Sequence, residues 1–170
     1  MTARSETLNF ITGRLRAWLL DEAKLPFDVV EAVLAEQAHN PYRALIAARE
    51  LAVWTSKTDW PQTLDAYARC VRITRNESEM YTIEPGHLTP LQALDLYLAA
   101  GRVAALLNPN SGVDDFLTAF LSLVKPITLF FEHVMVMDED MALRQNRLAL
   151  LQYVAGFAKG RADLSKLNGF

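Results

Sequence analysis

Apolar residues recur three and four positions apart along most of this chain, and the strict alternation of half-buried strands is scarce. Leu8, Ile11, Leu15, Trp18 and Leu19 form one such helical face, with Ser5 placed to cap its start. Pro26 opens a second segment through Val29, Val30, Val33 and Leu34. Asn40-Pro41 pairs a capping residue with proline at the first helical position, where its missing donor costs nothing, and predicts a helix through Trp54. Asp59-Trp60-Pro61 repeats that arrangement for a helix ending near Arg75. Asn76 to Thr89 contain Pro85-Gly86 and no clear period, which predicts the longest loop, and a further helix follows from Pro90 to about Leu107.

Asn108-Pro109-Asn110-Ser111-Gly112 is a turn cluster in which every residue favours leaving a helix. Beyond it, Asp114 to Val124 and Pro126 to about Val136 are expected as two apolar helices, separated at Lys125-Pro126 because proline removes a donor from the ladder. Asp138-Glu139-Asp140 place acids where a helix N-terminus favours them, and the last long helix runs to about Lys159. The sum is an all-α fold, a single helical bundle of about seven helices over residues 1–170, with no repeat of fixed period.

Composition narrows the class. A chain of 170 residues, 51% hydrophobic and 22% charged, suits one soluble domain, and no apolar run approaches the roughly 20 residues that span a bilayer. The first ten residues carry no export pattern, and the single cysteine, Cys70, fits a reducing cytoplasm and a small core residue. A net charge of −3 argues against non-specific coating of nucleic acid, which needs broad phosphate neutralisation, but leaves room for a local basic face.

Residues Pro126 to Leu151, PITLFFEHVMVMDEDMALRQNRLALL, are the most distinctive stretch. Phe130, Phe131, Glu132 and the Val134 to Met137 run lead into the acidic Asp138 to Asp140 and then into Arg144 to Leu151. This succession resembles the closing signature of the beta subunit of bacterial two-subunit glycyl-tRNA synthetases. Phe10-Ile11-x-x-Arg14-Leu15, Ala32 to Ala35 and Tyr67 to Ile73 are similar to earlier blocks of that subunit's C-terminal region. The region is of the anticodon-binding kind named for an Asp-Ala-Leu-Arg motif, and Asp140 to Arg144 resemble it with one residue inserted. The resemblance implies an excised or separately encoded C-terminal domain that helps select tRNA for glycine through its anticodon stem-loop. Its implied partners are that tRNA, the remainder of the beta subunit and the alpha subunit, with no membrane and no DNA. It implies no cofactor in this domain, ATP, Mg and glycine being used elsewhere in the synthetase.

Two groups could touch RNA. Arg69, Arg72 and Arg75 lie three apart and share one side of a helix, where guanidinium groups can fork to phosphates or stack on unpaired bases. A solvated face paired to Asp65 or Glu77 is the alternative for this ridge. Tyr67, beside it, is the best placed aromatic for stacking on a base. Arg144, Asn146 and Arg147 form the second group: an amide can pair with a base edge, and arginines can hold the backbone beside it. A purely structural role stays open for them, including an Asp140–Arg144 ion pair along the last helix. Lys159, Arg161 and Lys166 can add phosphate contacts. Phe130, Phe131, Met135 and Met137, and Trp18, Trp54 and Trp60, are expected in helix packing.

Catalytic patterns are lacking. Glu36-x-x-His39 has the spacing of a di-iron ligand pair, but its only echo, Glu84-Pro-Gly-His87, contains two helix breakers. No Gly-rich phosphate cradle or nucleophile motif is present. The sequence therefore points to a binding module without catalysis of its own. The alternative is a helical docking or scaffold domain, suggested by the strongly apolar Leu117 to Phe131 segment.

Overall fold

The computed structural model describes residues 3–170, with side chains from Asn9 onward. It is all-α: seven α-helices and three short 3-10 turns, with no strand among the described residues. The helices are α1 (Ala3–Asp21), α2 (Phe27–Gln37), α3 (Pro41–Thr55), α4 (Trp60–Thr74), α5 (Leu91–Leu106), α6 (Val113–His133) and α7 (Met141–Ala155). Among the described residues, no helix is long and apolar enough to cross a membrane. The chain divides into two compact units.

The first unit comprises Met1–Trp60, Gly112–Asp114 and Ala158–Phe170. Ala38 and His39 separate α2 from the cap of α3, Asn40, whose side chain accepts from the Arg43 N–H at 3.1 Å. The cap expected of Ser5 concerns a side chain outside the described residues. On α1, Leu15 and Leu19 are buried, whereas Ile11 and Trp18 are exposed, Trp18 by 44%. The apolar stripe of α1 is thus wider than the face α2 covers, and Trp18 is not the packing anchor its size suggested. Trp54 is buried, and its indole N–H donates to Asp114 at 2.8 Å. The C-terminal segment is tied to α2: the Asp163 N–H donates to the Ala32 carbonyl at 2.8 Å, and Gln37 donates to the Arg161 carbonyl at 2.7 Å. Gly160 sits at φ +76°, a conformation L side chains rarely adopt, and its N–H reaches the Glu36 carboxylate at 2.7 Å.

The second unit comprises Pro61–Ser111 and Asp115–Phe157. Its centre is the inner face of α6, where Phe116, Phe120, Leu123, Ile127 and Phe130 are all essentially fully buried. Each such side chain stabilises the fold by roughly 1.5–3 kcal/mol. That face explains why the expected break at Lys125-Pro126 does not occur: α6 is continuous through Pro126. Proline leaves the Ser122 carbonyl without its i+4 donor, but Ser122 is exposed, so water can satisfy it. Leu123, Ile127 and Phe130 carry the buried face across the site. The helix then ends at His133, three residues short of the expected Val136. Met135 and Met137, expected in packing, are exposed, Met135 by 72%, because they fall in the irregular link after α6. Cys70 is buried, and burial pushes its thiol up to about 12.

Candidate nucleic-acid interface

α4 carries its three arginines on one side, but the fold treats each differently. The Arg69 guanidinium lies over the Phe131 ring, 4.4 Å from its centroid, so its charge faces an aromatic surface and its stem is half-buried. Arg72 is exposed and stands 3.8 Å from Asp65, two turns earlier, the pairing the solvated-face reading foresaw. Arg75 is exposed where α4 gives way to the long loop, and its guanidinium has no partner among the described residues. Among the described residues Glu77 pairs with no arginine; it accepts the Tyr81 hydroxyl at 2.9 Å.

Three of the seven expected contact residues are turned inward. Tyr67, Asn146 and Arg147 are exposed by only 7%, 3% and 6%. Tyr67 meets Phe116 and Phe120 edge-on and donates its hydroxyl to the Ala155 carbonyl at 3.1 Å. Its ring is core, which corrects the expectation that it stacks on a base. Arg147 donates through Nη1 to the Met135 carbonyl at 2.8 Å and to Asp138 at 2.6 Å, and through Nη2 to the Thr89 carbonyl at 3.2 Å. The Asp140 N–H and then Arg147 hold the Asp138 carboxyl below its usual value.

Asn146 and Gln152 complete a pattern that the arginines begin. Asn146 accepts from the Glu84 N–H at 2.6 Å and donates to the Glu84 carbonyl at 3.1 Å. Gln152 accepts from the Tyr81 N–H at 3.0 Å and donates to the Glu79 carbonyl at 2.8 Å. The buried polar side of α7 therefore grips the backbone of residues 79–89, which run antiparallel to the helix. Asn146 spends its amide on this loop, whereas Arg147 reaches it only at Thr89 and gives its other bonds to Met135 and Asp138, so the structure places both side chains inside rather than on an RNA-facing surface. Gln152 was missed; its signal is a polar residue within the otherwise apolar LALLQYVA run.

The displayed loop is walled by two depressions. One, of about 170 Å³, is lined by Tyr81, Thr82, Glu84, His87 and Gln145 beside Asn146. The other, of about 420 Å³, brings Tyr81 together with Met80, Tyr97 and Tyr153. Tyr81 was also missed, an aromatic in the one long aperiodic segment. Its hydrogen bond to Glu77 raises its pKa first, with desolvation and the charges of Glu77 and Glu79 adding, while the nearby Arg144 charge opposes them. Arg144 is half-buried at the start of α7. The expected Asp140–Arg144 pair does not form; Asp140 instead caps α7, accepting from the Ala142 N–H at 2.9 Å and the Leu143 N–H at 3.3 Å. Arg75 and Arg144 are thus the cations left available at the loop, beside aromatic surface suited to an unpaired base. Glu77, Glu79 and Glu84 are the acidic side chains of the same segment. Lys159, Arg161 and Lys166 belong to the other unit.

Among the described residues, no group of three or more His, Cys, Asp or Glu side chains is placed to hold a metal ion.

Residues 63–160 match the DALR anticodon binding domain family. A chloroplastic/mitochondrial glycine–tRNA ligase of Arabidopsis thaliana is 33% identical over 97% of this chain and 16% of its own length. The glycine–tRNA ligase beta subunit of Moorella thermoacetica is 30% identical over 96% of this chain and 24% of its own length. That of Myxococcus xanthus is 30% identical over 97% and 24% respectively. The chain spans about a quarter or less of the length of these relatives.

Proposed function

Since this chain belongs to the DALR anticodon binding domain family, we propose that it is the anticodon-binding domain of a glycine–tRNA ligase beta subunit. In this reading it selects tRNA for glycine by the anticodon stem-loop, while ATP, Mg and glycine are handled elsewhere in the synthetase. Its partners are that tRNA, the rest of the beta subunit and the alpha subunit, in the cytoplasm. The reading is supported most by the way α7 holds the 79–89 backbone beside Arg75 and Arg144. A loop gripped through its backbone offers its side chains in fixed positions, so an unpaired base meets a surface already ordered. Arg75 and Arg144 set register through phosphates, and Tyr81 with Tyr97 and Tyr153 offers stacking area. Arg69 and Arg72 are contacts of the second rank, since each already has a neighbour in the protein.

The test is a titration of the chain with a glycine tRNA and with the same tRNA changed only in the anticodon, at two salt concentrations. Preference for the glycine anticodon that weakens with salt supports the reading. Equal affinity for the two tRNAs, or no binding at high micromolar RNA, sinks it.

A docking role is the second reading, favoured by one observation in the first unit. Phe10, Ile11, Trp18 and Tyr42 are exposed around an apolar groove of about 610 Å³ between α1 and α3. Under this reading the groove takes another part of the synthetase. Trp18→Glu then impairs assembly with the remaining domains and spares stem-loop binding.

A further inference from the structure

The second unit has a depression of about 260 Å³ between α5 and α6, lined by no residue of the loop that α7 grips. Its floor is apolar, made by Leu98 on α5 and by Pro126 and Leu129 on α6. Its rim carries Asp95, Arg102 and Lys125, and none of these three side chains has a hydrogen-bond or ion-pair partner among the described residues. Asp95 and Arg102 are seven residues apart on one face of α5, about 10 Å along the axis, too far to pair with each other.

We propose that this pocket seats one unpaired nucleotide of the bound RNA. The base rests on Leu98, Pro126 and Leu129, an N–H of its edge donates to Asp95, and the adjoining phosphates meet Arg102 and Lys125. The inference rests on the RNA-binding reading above and adds a second point of contact to it. Proline and leucine give a flat apolar floor of the kind a base face covers, and two unpaired cations suit a backbone charged at every residue. The carboxylate decides the class of occupant. An acidic peptide gains from Arg102 and Lys125 but is repelled by Asp95, and a purely apolar segment leaves all three charges unsatisfied. A nucleotide uses both signs, because every base edge supplies an N–H while every linkage supplies a negative oxygen.

The discriminating variant is Asp95→Asn, measured with the whole chain against a glycine tRNA anticodon stem-loop, inorganic polyphosphate and an oligoglutamate peptide. Removing a negative charge strengthens attraction for any polyanion. The proposal therefore expects opposite signs: polyphosphate binding unchanged or stronger, and stem-loop binding weaker by about fivefold or more. Arg102→Ala with Lys125→Ala is expected to weaken the stem-loop and to lower its salt slope by about two. All three residues are exposed, and an unchanged melting temperature shows that the fold is intact.

If Asp95→Asn strengthens stem-loop and polyphosphate alike, or if the double variant leaves the salt slope unchanged, the pocket inference is overturned and the loop beside Arg75 stands alone. Oligoglutamate binding more tightly than RNA, and lost with Arg102 and Lys125, overturns it in favour of a protein partner. Absence of stem-loop binding by the unaltered chain removes the broader reading and this one with it.

Discussion

The Asn146 carboxamide and the Glu84 backbone exchange two hydrogen bonds, N–H to Oδ1 at 2.6 Å and Nδ2–H to carbonyl at 3.1 Å. An asparagine amide has the donor and acceptor of a peptide group, so the side chain pairs with a loop residue much as a neighbouring strand does. Gln152 repeats the device at Glu79 and Tyr81, and Arg147 reaches Thr89. Asn146 and Arg147 of the closing motif therefore organise the surface on which recognition is proposed.

Asn146→Ala removes both bonds and leaves the Glu84 N–H and carbonyl without their partner. The expected loss is about 2 kcal/mol of stability, from two ordinary hydrogen bonds plus partial desolvation. Urea denaturation measures it. Hydrogen exchange localises it: the Glu84 and Tyr81 amides are expected to lose protection while those of α6 keep theirs. Uniform loss of protection across the unit contradicts the assigned role.

Arg147→Met leaves two carbonyls, Met135 and Thr89, without their side-chain donor and is expected to cost about 2 kcal/mol from those two bonds. It also changes the response to acid. The Asp138 carboxyl is held below the usual carboxylate range, mainly by the Asp140 N–H and then by Arg147. A depressed folded pKa gives stability that is present above the unfolded value and is lost as pH falls through the folded one. Relative to the unaltered chain, the variant is expected to lose less stability on acidification below about pH 4. Parallel stability-versus-pH curves for the two proteins contradict this.

What could be read in advance was what local chemistry decides. Asn40 caps α3 where Asn-Pro announced it, Asp140 heads α7, and Pro85-Gly86 lies in the long loop. Pro126 misled because a local penalty was set against a buried face whose full strength only tertiary packing reveals. Tyr67 and Arg147 misled for a related reason. Residue type marks a side chain as able to bind RNA, but whether its polar atoms are free depends on partners 88 and 58 residues away, Ala155 and Thr89. Arg75 kept its availability because it sits at a helix end beyond the packed face.

Cys70 is fully buried on α4 with its thiol pushed up to about 12. At pH 8 almost none of it is thiolate, and no reagent reaches it without an opening of the structure. Labelling by a thiol reagent is expected to be slow in the native protein and to follow the unfolding equilibrium as urea is added. Rapid labelling in the absence of denaturant contradicts this placement.

The sharpest contrast is between Tyr67→Phe and Arg75→Ala, since both residues were candidates for RNA contact and the fold separates them. Tyr67→Phe keeps the ring against Phe116 and Phe120 and deletes the hydroxyl that donates to the Ala155 carbonyl. It is expected to lower stability by about 1 kcal/mol and to leave stem-loop affinity unchanged. Arg75→Ala removes an exposed, unpartnered guanidinium, so stability is expected to shift by less than about 0.5 kcal/mol. Stem-loop affinity is expected to fall by about tenfold at low salt, and the salt slope by about one, as loss of one phosphate contact requires. Denaturation and RNA titration of the same two preparations read both quantities. The assignment fails if the two variants exchange these phenotypes, because a core ring cannot govern RNA affinity without stability, and a solvated arginine cannot do the reverse.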